Sequence, residues 1–482
     1  MSSTERETVE EVSRSQRNSV KWFKNPKIIT SGVVVIVLLL AGLSYYQATR
    51  FNSHVMINDT QVGGLTVEKA IKKLKTAVLN NSVYVGQEKI LDEEDTKLGF
   101  SEKDLPEIKK LLKKQWTFFP STKEKNYWLI PEEADQYRNQ TMKKHVKDKL
   151  LSMNKSLKAP VDAQATLKDG QIVITKSMDG KQYDIASLMK DYEKQVYRSE
   201  IHLKPVLLQP VKEDSEIVKK EEKKLQEIQQ QSIDYKVQDK VYSLAANELV
   251  KNAAVSKEMK VTIDPSGIQD KIDEINRTQS TLDKDFTFKT HSGRVISVKG
   301  KGYGWALDTE KEAARIQKAF EKGEAKPLSA SNIRGHGWNG EGYGYETTTN
   351  NGIGDTYAEV SIAEQRAWIY KNGKLAVTTH VVTGKHITGE DTSKGVWYIL
   401  YKRQQYTLRG SSAGSPGSYA IKVNYWAPFT NSGQGFHDAS WRSNWRSSAY
   451  IAAGSGGCVN TPPSIMGTVY NTLSTYDPVV IY

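Results

Sequence analysis

Cysteine is almost missing from this chain: Cys458 is the single one in 482 residues. No disulfide can close within the chain, so that thiol is either free and reactive or pairs between chains. Proline is also sparse, at 14 residues, and 26% of the chain is charged, the composition of a soluble globular protein. Metal-ligand spacing is missing too. His380, His386 and His437 have no cysteine cluster and no His-Glu-x-x-His spacing, and His336 stands alone in a glycine-rich loop. No phosphate-cradling glycine loop is present, so no metal and no cofactor is expected. Lys and Arg outnumber Asp and Glu by 68 to 56, a net charge of +12. Zinc-finger, homeodomain and RNA-binding signatures are absent, so this surplus does not imply nucleic acid. A basic face equally suits an anionic cell surface, and most of these charges read as solvated Lys-rich surface.

One long apolar run is present. Ile28 to Tyr46 carries no charge over 19 residues, and at about 1.5 Å per residue such a helix spans roughly 30 Å, a bilayer core. Arg6, Arg14, Arg17, Lys21, Lys24 and Lys27 precede it, whereas Arg50 alone follows closely. The positive-inside bias places residues 1–27 in the cytoplasm and the rest on the extracellular, cell-wall face, with Tyr45 and Tyr46 at the outer interface. No small-x-small cleavage site follows the run, which favours a single-pass signal anchor over a cleaved signal peptide.

The length calls for several domains, since single cores seldom grow past about 250–300 residues. From 51 to 210 the pattern mixes helix and strand. Thr66 is placed to cap a helix whose apolar positions are Ala70, Ile71, Leu74, Ala77 and Val78. Helices are expected over Leu105–Trp116 and Met142–Met153, and a strand over Gln171–Thr175. The Glu/Lys/Gln-rich stretch Glu213–Gln231 has too few apolar positions for a coiled coil and reads as an exposed helix opening a second domain. An internal echo links the two: Lys168-Asp169-Gly170-Gln171 and His291-Ser292-Gly293-Arg294 have their glycines 123 residues apart. Each is followed by an Asp-led amphipathic helix, starting at Asp184 and Asp308. The period is too long for a solenoid, so two copies of one α+β domain are inferred, at 51–210 and 213–335. Residues 336–355 read as a Gly-rich linker.

After Asp355 alternating strands take over, at Thr356–Ser361, Arg366–Lys371, Lys374–Val382 and Gly395–Tyr401, with an Asn372-Gly373 hairpin signal. Residues 356–482 therefore form a mainly-β domain. One late helix follows the cysteine, with Thr461 as its expected cap and Pro462 in its first turn.

A cysteine attacks as its thiolate, and its pKa falls beside a protonated histidine or at a helix N-terminus. Cys458 is expected to have both, since His437 lies 21 residues upstream and a helix follows. Gly456 and Gly457 would let the Gly457 and Cys458 amides face the oxyanion of a tetrahedral intermediate. A nucleophile, a base and an oxyanion hole are the parts required for acyl transfer. An inert packing cysteine is the competing reading of the residues alone.

The segment His437–Asn460, ending Ser455-Gly456-Gly457-Cys458-Val459-Asn460, resembles the signature of the L,D-transpeptidases, cysteine enzymes that cross-link peptidoglycan. Val381-Val382-Thr383-Gly384 and Thr392-Ser393-Lys394-Gly395 resemble the family's earlier signature, with Ser393 where proline is usual. Gly302-Tyr303-Gly304-Trp305 with its following helix, and Val62-Gly63-Gly64-Leu65-Thr66, resemble the peptidoglycan-binding domains in front of such enzymes. The resemblance implies a multidomain architecture: an anchor helix, two α+β repeat domains and a sandwich-like catalytic domain with one helix after the cysteine.

It also implies Cys458 as nucleophile, His437 as base and acid, and the Gly457 amide in the oxyanion hole. Trp441, Asn460, Ser455 and Tyr419 would line the substrate site. The implied partners are peptidoglycan stem peptides and glycan, with carbapenem-type β-lactams as inhibitors. The implied reaction is a 3→3 cross-link with loss of a terminal D-Ala. Water in place of the acceptor amine would give an L,D-carboxypeptidase. Gly456 stands where the family has histidine, which also admits a catalytically impaired wall-binding protein. A sortase is rejected, because no arginine follows Arg446.

Overall fold

The computed structural model describes residues 26–115, 121–133, 136–324, 326–411 and 417–482. The expected cytoplasmic residues Arg6, Arg14, Arg17, Lys21 and Lys24, and the Trp116 end of the Leu105–Trp116 helix, lie outside the described residues. Pro26–Thr49 is one helix of 24 residues. Within it Thr30–Thr49 is long and apolar enough to cross a membrane, with 6% of its most apolar window buried. Further on, Val67–Lys75 is helical because Val67, Ala70, Ile71 and Leu74 fall on one buried face, and the Thr66 hydroxyl accepts from the Lys69 amide at 3.4 Å.

The chain divides into two compact units, and the division does not follow a single cut near residue 210. Residues 1–161 and 178–210 make the first, 162–177 and 211–482 the second. The hairpin Ala165–Lys168 with Gln171–Ile174 belongs to the second unit because its strand pairs with Ala253–Val255, burying Ala165 and Leu167 in that unit's core. Its turn, Asp169-Gly170, has φ of 49° and 79°. The echoed segment forms a second hairpin, Asp285–Lys289 with Val295–Lys299. The helices that follow, Ile185–Gln195 and Thr309–Lys322, are capped alike, Asp184 accepting from Ser187 at 3.0 Å and Asp308 from Lys311 at 3.3 Å.

Two expectations are corrected in the second unit. Glu216–Gln229 is a helix but not an exposed one: Val218, Leu225 and Ile228 are fully buried, and Glu221 accepts from the Ala165 amide. These few apolar residues cannot sustain a coiled coil but are enough to seat one side of a helix on a core. The segment 336–355 is irregular yet packed, with Ile353 buried and Tyr345 set edge-on against Trp305 at 4.9 Å. A shared cluster of Phe286, Phe288, Val298 and Tyr303 with Tyr357, Val396, Tyr398 and Val480 joins the second hairpin to the last domain, so the two pack together within one compact unit.

In that last domain two sheets share one core. Five strands lie in the order Lys374–His380, Arg366–Lys371, Tyr357–Ser361, Pro478–Ile481, Gly395–Tyr398. Four lie in the order Arg403–Ser411, Ser418–Pro428, Gly435–Asp438, Val459–Thr461. The Asn372-Gly373 turn has φ of 51° and 75°, the left-handed pair that a two-residue hairpin requires. The helix Pro463–Thr472 adds Met466, Val469 and Tyr470 to the shared core.

Candidate active site

The sheet register builds the site. Gly435–Asp438 pairs antiparallel with Ser418–Pro428, placing Trp426 opposite His437, and parallel with Val459–Thr461, placing His437 beside Asn460. The His437 ring therefore sits between two indoles, 5.9 Å from Trp426 and stacked at 5.8 Å on Trp441. Its Nδ1 lies 3.0 Å from the Asp438 carbonyl, which makes Nδ1 the protonated nitrogen. The Asn460 amide donates to Nε2 at 3.0 Å, while its oxygen accepts from Arg442 Nε and Nη2, each at 3.1 Å. Arg442 is held in turn by the Ala453 carbonyl at 2.7 Å. Burial holds His437 below the ordinary imidazole range, against the pull of the Asp438 carbonyl and carboxylate, with the Arg442 charge adding to the depression.

Cys458 opens into the same cavity, about 340 Å³, whose walls include Tyr406, Arg409, Tyr419, Trp426 and Trp441. The thiol donates to the Gly433 carbonyl at 3.5 Å. Burial pushes it up to about 11, and the Gly435 amide facing the sulfur only partly offsets this. Burial thus works against the expected low-pKa thiolate. Val459–Thr461 is a fully buried strand, and the helix begins only at Pro463 with no side-chain cap. Thr461 is thus no cap, its hydroxyl donating to the Val459 carbonyl, and Cys458 lies ahead of a strand rather than at a helix N-terminus. At neutral pH both partners are neutral: a thiol and an imidazole.

The loop around the nucleophile is tied to the earlier signature. Thr392 donates its hydroxyl to the Gly457 carbonyl at 2.8 Å and accepts from the Gly384 amide at 3.0 Å. The Ser455 amide donates to Thr383 at 2.9 Å, and the Lys385 amide to Ser455 at 2.8 Å. Gly384 has no room for a side chain: a Cβ there would lie 1.8 Å from the Glu390 carbonyl oxygen. Ser393, where proline is usual, donates its amide to Gln434 Oε1 at 2.9 Å, a bond proline cannot make. Gly457 has φ of 109°, and a Cβ on it would strike Gln434 Nε2 at 2.6 Å.

Three of the expected groups are held by hydrogen bonds within the site. The Gly457 amide already donates to the Ser455 hydroxyl at 3.2 Å, so it is committed and is not a ready oxyanion donor. Ser455, which also donates to the Cys458 carbonyl at 2.6 Å, orders the loop and lines the cavity. Asn460 also lines the cavity; it is buried, and its amide holds His437 and Arg442. Trp441, 47% exposed, and Tyr419 line the cavity too. Burial raises the Tyr419 hydroxyl, and the charges of Cys458 and Glu390 raise it further. Trp426, Arg442, Gln434, Gly435 and Glu390 were not singled out from sequence. Only Trp426 carried a signal, as a bulky aromatic in the strand run before His437, and its partner depends on register.

No group of three or more potential metal-ligating side chains occurs among the described residues. Comparison with known proteins matches residues 355–481 to the L,D-transpeptidase catalytic domain and residues 214–329 to a candidate peptidoglycan binding domain. No curated protein matches the chain. Among solved structures it is similar to a Cys-to-Ser variant of the Enterococcus faecium L,D-transpeptidase, at 26% identity over 54% of this chain and 98% of that one, with a TM-score of 0.45. It is also similar to the E. faecium catalytic domain, solved free and acylated by ertapenem. Each is 38% identical over 27% of this chain and 97% of that one, with a TM-score of 0.25. Residues 355–481 are thus a catalytic domain of the L,D-transpeptidase type, that of an acyltransferase-type enzyme, with a domain of the peptidoglycan-binding type ahead of it.

Proposed function

We propose that the protein is a membrane-anchored peptidoglycan L,D-transpeptidase that forms 3→3 cross-links through an acyl-enzyme on Cys458. The observation that carries this is the convergence of Cys458 and His437 on one cavity, next to the loop that Thr392 ties down. The Cys458 sulfur attacks the carbonyl of the third residue of a donor tetrapeptide. His437 Nε2, its unprotonated nitrogen, takes the thiol proton in place of the Asn460 amide and passes it to the departing D-Ala amine. Because the thiol is held neutral, attack and proton transfer proceed together rather than from a standing ion pair. With Gly457 committed to Ser455, the Cys458 amide is the oxyanion donor. An amine of a neighbouring stem then displaces the sulfur.

The apolar helix Thr30–Thr49 suits the role of anchor, with the catalytic domain on the cell-wall side, and the matched binding domain fits association with the wall. The ertapenem-acylated relative supports acylation of Cys458 by carbapenems. Incubation with a carbapenem is expected to shift the intact mass by one drug equivalent at Cys458 and to leave Cys458→Ala unshifted. No adduct on the wild-type protein at neutral pH and high drug concentration refutes the proposal.

A further inference from the structure

A second cavity, of about 390 Å³, shares a turn of chain with the catalytic one, and its walls include Lys301, Gly302, Trp397, Asn431 and Ser432. Gly433, the next residue after Ser432, lines the catalytic cavity and takes the Cys458 thiol on its carbonyl. The turn is closed by the Gly433 amide donating to the Thr430 carbonyl at 3.1 Å and the Gln434 amide to the Thr430 hydroxyl at 2.9 Å. Two parts of the chain meet at this cavity. Lys301 and Gly302 fall within residues 214–329, the match to the binding domain, and their amides donate to the Val396 carbonyl of the catalytic sheet at 3.1 and 3.3 Å. Trp397 follows on that strand, its ring fixed by Nε1 donating to the Ser393 carbonyl at 2.9 Å. Gly302 does not have a left-handed φ, so its backbone does not call for glycine. A Cβ on it would lie 3.4 Å from Trp397 Cε3 and 3.5 Å from Tyr398 Cε1, so the missing side chain leaves room over the indole. Around that room, the Asn431 amide and the Lys301 ammonium have no hydrogen-bond or ion-pair partner among the described residues.

We propose that this cavity is a glycan subsite, which holds the N-acetylated sugar bearing the donor stem while Cys458 attacks that stem; this rests on the transpeptidase reading above. A pyranose ring has an apolar C–H face that packs on an indole, and a rim of hydroxyl and acetamido groups that seek polar partners. Trp397 supplies the platform, and Asn431, Ser432 and Lys301 supply the rim contacts. The first three stem residues reach about 10 Å when extended, so one substrate can drape over the Thr430–Gln434 turn with its sugar here and its scissile carbonyl at Cys458. Contacts so far from the reacting atoms are made equally before and during the chemical step, and they lower KM rather than raise kcat.

The full-length protein in detergent is given, separately, disaccharide-tetrapeptide and the same tetrapeptide without sugar, and D-Ala release is followed over a range of concentrations. For wild type, KM is expected to be about tenfold lower with the disaccharide attached, the scale of a packed ring and one hydrogen bond. Gly302→Leu, whose side chain would lie over the Trp397 ring, is expected to bring the two KM values within about twofold of each other. Asn431→Ala is expected to narrow their ratio about threefold, and it carries the test should Gly302→Leu not fold. Equal KM values in wild type, or a ratio unchanged in the folded variants, overturn the subsite alone. Release of D-Ala from neither substrate by wild type overturns the transpeptidase reading, and the subsite with it.

Discussion

Beside Trp426 and Trp441 His437 is buried, and the burial that lowers the imidazole also raises the Cys458 thiol. The sign of each shift sets the pH behaviour. A thiol raised to about 11 is almost wholly protonated at neutral pH, so its alkylation by iodoacetamide should rise about tenfold per pH unit from 7 to 9. A standing thiolate–imidazolium pair would instead give fast alkylation that is flat with pH over that range. His437→Ala should lower the rate of acylation by a carbapenem about 10²–10⁴-fold, the usual contribution of a general base. Wild-type rates in that variant would remove His437 from the role.

At the scale of elements, the site is a junction of strand ends and loops rather than a helix terminus. Gly384 is its tightest point, because the atoms a Cβ would meet there are backbone atoms of Glu390, Asp391 and Thr392, which cannot swing aside. Gly384→Ala should destabilise the catalytic domain by about 1–3 kcal/mol, as overpacking does, seen as a lower urea midpoint, and should slow acylation by displacing Thr392. An unchanged midpoint would mean that the loop moves freely. Much of this domain is legible in the sequence. Alternation gave the Arg366–Lys371 strand, Asn372-Gly373 its turn, and the glycines around Cys458 the nucleophile loop. Thr461-Pro462-Pro463 misled, since a good cap residue before prolines signals a helix start. The parallel pairing of Val459–Thr461 with Gly435–Asp438 claims Thr461 for a strand, and no local pattern encodes that long-range pairing.

For the second unit as a whole, the contact between the hairpin Asp285–Lys289/Val295–Lys299 and the catalytic sheet is electrostatically sensitive. Glu359 is fully buried there; its Oε1 accepts from the His291 amide at 2.7 Å and from the Tyr482 hydroxyl at 2.6 Å, and its Oε2 is buried without a hydrogen-bond partner among the described residues. His291 stacks on Trp368 at 4.8 Å and its Nδ1 lies 2.7 Å from the Tyr370 hydroxyl. Burial raises the Glu359 carboxyl, partly offset by the Tyr482 hydroxyl and by His291, with Glu364 adding to the rise. A carboxyl raised in the folded state favours folding at pH values below its unfolded pKa, about 4.3. That contribution is lost as pH rises through the folded value. Glu359→Gln, which mimics the neutral acid, should therefore gain stability relative to wild type as pH rises from 4 to 8; a pH-independent difference contradicts this.

The most direct test of the enzyme as a whole is mass spectrometry of its products from disaccharide-tetrapeptide. Dimers short of one D-Ala, formed by wild type and absent with Cys458→Ala, are the predicted result. Dimers formed equally by Cys458→Ala, or no change in the substrate at all, would contradict the account.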